Sequence, residues 1–147
     1  MQSSTTILII EDSPDDYEAC VTALKSDNNL ANPIIWCETG DDGLDYLYGR
    51  GKHPEQKPVC PCLILLDLNL PGTSGREVLA QIKADESLKK IPVVVMTSSR
   101  DPEDIDACYR DGANSYVVKP VDLDGFFQAI ARLREYWFEI SVLPELP

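Results

Sequence analysis

Leu63-Ile64-Leu65-Leu66-Asp67 is four consecutive apolar residues closed by a carboxylate. A short, unbroken apolar run of this kind reads as a strand buried on both faces. Seven residues further on, Ser74-Gly75-Arg76-Glu77 is a capping box, S-x-x-E, opening a helix that carries Val78, Leu79 and Ile82 on one side. Strand, carboxylate, turn and helix make one unit, and the unit recurs along the chain in both directions.

Toward the N-terminus, Ile7-Leu8-Ile9-Ile10 is a first strand ending in Glu11-Asp12. Ser13-Pro14 supplies a helix cap and a first-turn proline, and Tyr17, Cys20, Val21 and Leu24 follow at helical spacing. Ile34-Ile35-Trp36-Cys37 is a second strand, followed by a short helix with Leu44, Leu47 and Tyr48 behind Thr39. Toward the C-terminus, Pro92-Val93-Val94-Val95-Met96 is a fourth strand with proline in its first position. Asp101-Pro102 opens a fourth helix, Ser115-Tyr116-Val117-Val118 is a fifth strand, and Asp122 caps a last helix running through Phe126, Ile130, Leu133 and Trp137. Strands alternating with helices predict an α/β, doubly wound, five-stranded parallel sheet. Five such units in the order 2-1-3-4-5 give a flavodoxin-like architecture with five helices.

The 147 residues suit a single domain, with 44% hydrophobic and 26% charged residues. The net charge of −12 disfavours nucleic acid and anionic membrane surfaces as partners. The odd count of five cysteines reads as reduced thiols rather than a disulfide framework. The apolar run at Ile7 is far shorter than the roughly 18 residues of a membrane span, so a cytoplasmic location is expected. The irregular stretch Gly49 to Pro61 reads as a solvated loop.

Sites in open α/β sheets lie beyond the carboxyl ends of the strands. At that edge the sequence places Glu11-Asp12, Asp67, Thr97-Ser98-Ser99 and Lys119-Pro120. Acidic residues after strands are often only caps or turn formers. Here, however, each group falls one step past its own strand, and the strand order makes them neighbours. Three carboxylates together need a cation. Oxygen-only ligands favour Mg²⁺. A cation and a lysine beside a carboxylate form an anion site suited to a phosphoryl group.

Glu11-Asp12, Asp67 within Leu65-Leu66-Asp67-Leu68-Asn69-Leu70-Pro71-Gly72, Thr97 and Lys119-Pro120 together resemble a two-component response-regulator receiver domain. The resemblance implies that Asp67 is the phosphoacceptor. It implies that Asp12 and Asp67 hold Mg²⁺ through carboxylates, Asn69 through its backbone carbonyl and Glu11 through water. Thr97 corresponds to the switch hydroxyl, Lys119 to the partner of the phosphoryl group, and Tyr116 to the family's rotating aromatic. Asn69 and Ser99 flank the path of a hydrolytic water. Lys119-Pro120 resembles the family's cis peptide.

The loop before the third strand, Gly75-Arg76-Glu77-Val78-Leu79, and Trp137-Phe138-Glu139-Ile140-Ser141-Val142-Leu143-Pro144 are similar to the phytochrome-associated regulators of photosynthetic bacteria. The expectation is a single-domain receiver over 1–140 with a tail over 141–147. It would take a phosphoryl group from a sensor histidine kinase, catalyse only its own phosphorylation and dephosphorylation, and signal by binding. Phe127, Ala131 and Phe138 form a second apolar stripe, interrupted by Arg134, beside the one that covers the sheet. With Ile140, Val142 and Leu143, that surplus predicts a homodimer on the fourth-helix, fifth-strand, fifth-helix face and the tail. The alternative is that the tail folds back over its own domain.

Two rival readings exist. A Mg²⁺-dependent aspartyl phosphatase of haloacid dehalogenase type would need an acid two residues after the nucleophile, where Asn69 stands. A zinc module would have to be built from Cys60-Pro61-Cys62 and His53, a weak ligand pattern.

Overall fold

The structure, a computed structural model, describes residues 6–25, 32–50, 60–140 and 143–144. Five strands form one parallel sheet: β1 (Ile7–Ile10), β2 (Ile34–Cys37), β3 (Leu63–Leu66), β4 (Val93–Thr97) and β5 (Ser115–Val118), in the order β2-β1-β3-β4-β5. The helices are α1 (Pro14–Leu24), α2 (Gly40–Tyr48), α3 (Gly75–Ala84), α4 (Pro102–Arg110) and α5 (Leu123–Glu135). Each starts at a side-chain cap: Ser13, Thr39, Ser74, Asp101 and Asp122 each accept a first-turn amide.

The two-residue period of the central strands divides the core into two layers. Leu8, Ile10, Ile64, Leu66, Val93 and Val95 pack with Leu44, Val78, Leu79, Ile82 and Cys108 of α2, α3 and α4. Ile7, Ile9, Leu63, Leu65, Val94 and Met96 pack with Cys20 and Leu24 of α1 and Phe126 and Ile130 of α5. Unbroken apolar runs serve β1, β3 and β4 because both of their faces are covered. The edge strand β5 is half-buried throughout.

Three local expectations shift. Pro92 lies just outside β4, where its carbonyl accepts the Ile64 amide at 3.0 Å. The last helix, expected to run through Trp137, is α-helical only to Glu135 and continues as a π-helical turn, Tyr136–Ile140. That turn seats Trp137 in the core beside Phe126 and Ile130. Phe127, Phe138 and Leu143 also pack, half-buried, against this layer, so part of the expected surplus covers its own domain. Residues 51–59, including His53, and Val142 lie outside the described residues, as do the side chains of Leu123 and Ile140. Among the described residues no helix is long and apolar enough to cross a membrane.

Candidate functional site

Parallel pairing runs one residue beyond the strands and thereby assembles the site. The Glu11 amide donates to the Cys37 carbonyl, the Asp67 amide to the Ile10 carbonyl (both 3.0 Å), and the Lys119 amide to the Thr97 carbonyl at 2.8 Å. Glu11, Asp67 and Lys119 therefore leave the sheet at the same edge. Glu11 and Asp67 are buried, whereas Asp12 is exposed. One carboxylate oxygen from each of the three lies within 4.8 Å of the others. Among the described residues this is the one such group of potential metal ligands.

The Lys119 ammonium sits against this cluster. It donates to Glu11 Oε1, to Asp67 Oδ2 at 3.2 Å and to Asp16 Oδ2 at 2.9 Å. Asp16 was not among the residues expected from the sequence. It reads there as one of two first-turn acids of α1, placed favourably at a helix N-terminus. Only the fold brings that turn over the end of β5. The other side of the cluster is fixed by the backbone: the Asn69 amide donates to Asp67 Oδ1 and the Ser13 amide to Glu11 Oε2, both at 3.3 Å. The Trp36 indole donates to the Glu11 carbonyl at 2.8 Å and stacks on Tyr17, with ring centroids 4.1 Å apart.

The electrostatics follow from crowding and burial. Burial, then the hydrogen bond shared with Asp67, push Glu11 up to about 8, although Lys119 opposes the shift. Burial alone would lower Lys119. Its hydrogen bonds to Glu11 and Asp16 and the charges of Asp67 and Glu11 outweigh that and hold it above its ordinary value. The ammonium thus stays charged, and the cluster retains surplus negative charge. Closely spaced hard oxygen donors with surplus charge fit a small divalent cation.

The remaining predicted residues form a second group. Thr97 is fully buried as the last residue of β4, and its hydroxyl accepts the Ser99 amide at 3.4 Å. The Tyr116 hydroxyl donates to the Ser99 carbonyl at 3.0 Å, and the Ser99 hydroxyl to Asp104 of α4 at 2.6 Å. The loop after β4 is therefore tied to both β5 and α4. Asn69 contributes an amide to Asp67 in this arrangement. The Lys119–Pro120 peptide is trans, contrary to the expected cis form. Trans is the lower-energy isomer by about 0.5–1 kcal/mol where nothing selects against it.

Cys60 is half-buried and Cys62 buried, and burial raises both thiols, Cys62 to about 11. Protonated thiols are poor metal ligands. The zinc reading has no structural support in these two residues.

The response regulator receiver domain model matches residues 7–131. The response regulator Rcp1 of Synechocystis sp. (strain ATCC 27184 / PCC 6803 / Kazusa) is 38% identical over 138 residues, covering 94% of this chain and 92% of that one. The phosphorylated cyanobacterial phytochrome response regulator RcpA superposes with a TM-score of 0.88 at 35% identity, over 97% of this chain and 100% of that one. The Mn²⁺-bound form of Rcp1 also gives 0.88, at 37% identity over 95% and 98%. These matches lend no support to a haloacid-dehalogenase phosphatase. The acidic trio, the strand-end lysine and the sheet order agree with what the matches say: the chain belongs to the response regulator receiver domain family.

Proposed function

We propose that the chain is the phosphoacceptor of a two-component phosphorelay, with Asp67 accepting the phosphoryl group from a sensor histidine kinase of phytochrome type. The observation that carries this reading is the place of Asp67, at the end of β3 within reach of Lys119 and beside Glu11 and Asp12. In the transfer the N–P bond of a phosphohistidine breaks and an O–P bond to an Asp67 carboxylate oxygen forms. The imidazole leaves. Lys119 stays charged and pairs with the added negative charge.

The cation that fits the acidic trio is Mg²⁺. Asp12 and Asp67 would hold it through carboxylates, Asn69 through its backbone carbonyl and Glu11 through water. Bound there, it would neutralise charge on the transferring group. The Mn²⁺-bound structure of Rcp1 supports a divalent site in a relative.

Signalling follows from coupling between the two residue groups. Phosphorylation adds charge and acceptor oxygens at Asp67. Thr97 turns toward them and gives up the Ser99 amide, which loosens the tie between Ser99, Tyr116 and Asp104. The α4-β5-α5 surface then changes. The chain catalyses its own phosphorylation and dephosphorylation and no other reaction. Its receiver unit spans 1–140 with a tail over 141–147, and its location is cytoplasmic. Partners are the kinase and a second copy of the chain, with no nucleic acid or membrane. The likeness to RcpA, a cyanobacterial phytochrome response regulator, supports the phytochrome link.

Acetyl phosphate with Mg²⁺ tests the reading. Intact mass is expected to rise by one phosphoryl group, and Asp67→Asn to abolish the rise. Labelling that persists at another residue in this variant would overturn the assignment.

A further inference from the structure

Lys119 bonds three carboxylates, and they differ in kind. Glu11 and Asp67 belong to the acidic trio, while Asp16 does not. The side chains of Glu11 and Asp67 are 5% and 8% exposed, that of Asp16 41%. Asp16 and Lys119 both line a cleft of about 330 Å³ together with Ser98, Pro120 and Asp122. The ammonium therefore lies between a buried pair on one side and a single carboxylate facing the cleft on the other.

A divalent cation at the trio would draw on Asp67 directly and on Glu11 through water, the two buried carboxylates that also hold the Lys119 ammonium, and the two cations repel each other. Binding the cation must weaken the hold of Glu11 and Asp67 on Lys119. We propose that Asp16 is a positioning residue that retains Lys119 when the cation takes Glu11 and Asp67. The ammonium moves toward the cleft without losing all its counter-charge, and it remains next to Asp67 for the phosphoryl group. This inference rests on the cation-assisted reading of the trio.

Without Asp16, Lys119 has only Glu11 and Asp67 as partners, and the cation has to displace it from both. Mg²⁺ affinity then falls. A half-exposed ion pair of this kind corresponds to an effect of about threefold. The same loss must shrink when Lys119 is absent, because there is then nothing to retain.

Calorimetric Mg²⁺ binding at fixed pH and ionic strength tests this on four full-length chains: the native chain, Asp16→Asn, Lys119→Met and the double variant. Asp16→Asn is expected to weaken binding about threefold in the native background. In the Lys119→Met background the loss is expected to be at most half as large in logarithmic terms. Asp16→Glu is expected to recover most of the affinity. Equal losses in both backgrounds would show that Asp16 acts only through its field, and an unchanged Asp16→Asn would show no role; either overturns the proposal while leaving the cation reading intact. A native chain that binds no Mg²⁺ overturns the cation reading and this proposal together.

Discussion

Gly75 presses directly on the backbone of Asp67: a Cβ at Gly75 would stand 2.1 Å from the Asp67 carbonyl oxygen and 2.5 Å from Leu68 Cα. The Gly75 amide also donates to the Leu68 carbonyl at 3.0 Å. The first turn of α3 is thus packed against the segment that presents the phosphoacceptor, and only a residue without a side chain permits the approach.

Gly75→Ala is expected to push α3 away from Asp67, because the atoms it meets are backbone and cannot rotate aside. Overpacking of this kind costs about 1–3 kcal/mol. Urea unfolding is expected to show that loss, and phosphorylation by acetyl phosphate is expected to slow at urea-free conditions where the variant is folded. A variant as stable as the native chain would show that α3 moves without penalty.

Lys119→Ala is expected to bind Mg²⁺ more tightly than the native chain. The ammonium is a competitor for Glu11 and Asp67, and its removal leaves the carboxylates with uncompensated charge. The variant is also expected to lose the phosphorylation-dependent change in the surroundings of Tyr116, read as amide chemical shifts along β5. A marked fall in Mg²⁺ affinity would contradict this account.

Glu11 gives the cation-free protein a pH dependence. Its folded value, raised by burial first and by Asp67 second, is about 8. From the ordinary carboxylate range up to about pH 8 the folded chain keeps a proton that the unfolded chain has released. The contribution of Glu11 is therefore fully present at low pH and is lost as pH rises through its folded value. The urea midpoint without divalent cation is expected to decline toward pH 8, and Glu11→Gln to flatten that decline. Since cation binding must expel the proton, Mg²⁺ affinity is expected to rise over the same window. An equal slope in Glu11→Gln would place the titration elsewhere.

The strands and the five helix caps were legible because each depends on a short local pattern, and the assembly of Glu11, Asp12, Asp67 and Lys119 at one edge followed once the flavodoxin-like order was taken for alternating strands and helices. Apolar runs marked the doubly covered strands, polar caps marked the helix starts, and the parallel order aligned the strand ends. Asp16 was not legible. As a first-turn acid it has a sufficient local explanation, and its bond to Lys119 joins residues 103 apart in sequence. The contact of Gly75 with Asp67 was hidden likewise, since a glycine inside a capping box looks incidental until the helix is docked. The link from Tyr116 to Ser99 crosses from β5 to the loop after β4, and no periodicity encodes it. The π-helical turn after α5 was missed because Trp137 fits α-helical spacing equally well.

Self-association is expected to use the edge formed by α4 and β5. Tyr109 is half exposed, and its hydroxyl accepts the Tyr116 amide at 3.1 Å, which lays the ring along the outer side of β5. Tyr136, after α5, is 48% exposed. An edge strand with exposed aromatic surface beside it readily takes a second copy. Phe127, Phe138 and Leu143 pack half-buried against their own domain, and Tyr109 is the exposed aromatic of this edge that the test probes. Sedimentation of the full chain is expected to show a concentration-dependent dimer, strengthened by acetyl phosphate and Mg²⁺ through the coupling of Tyr116 to the Asp67 site. Tyr109→Asp is expected to weaken it by placing charge in the contact, while Asp67 still accepts the phosphoryl group. A native chain that sediments as a monomer at every concentration, with and without phosphoryl donor, would exclude this interface.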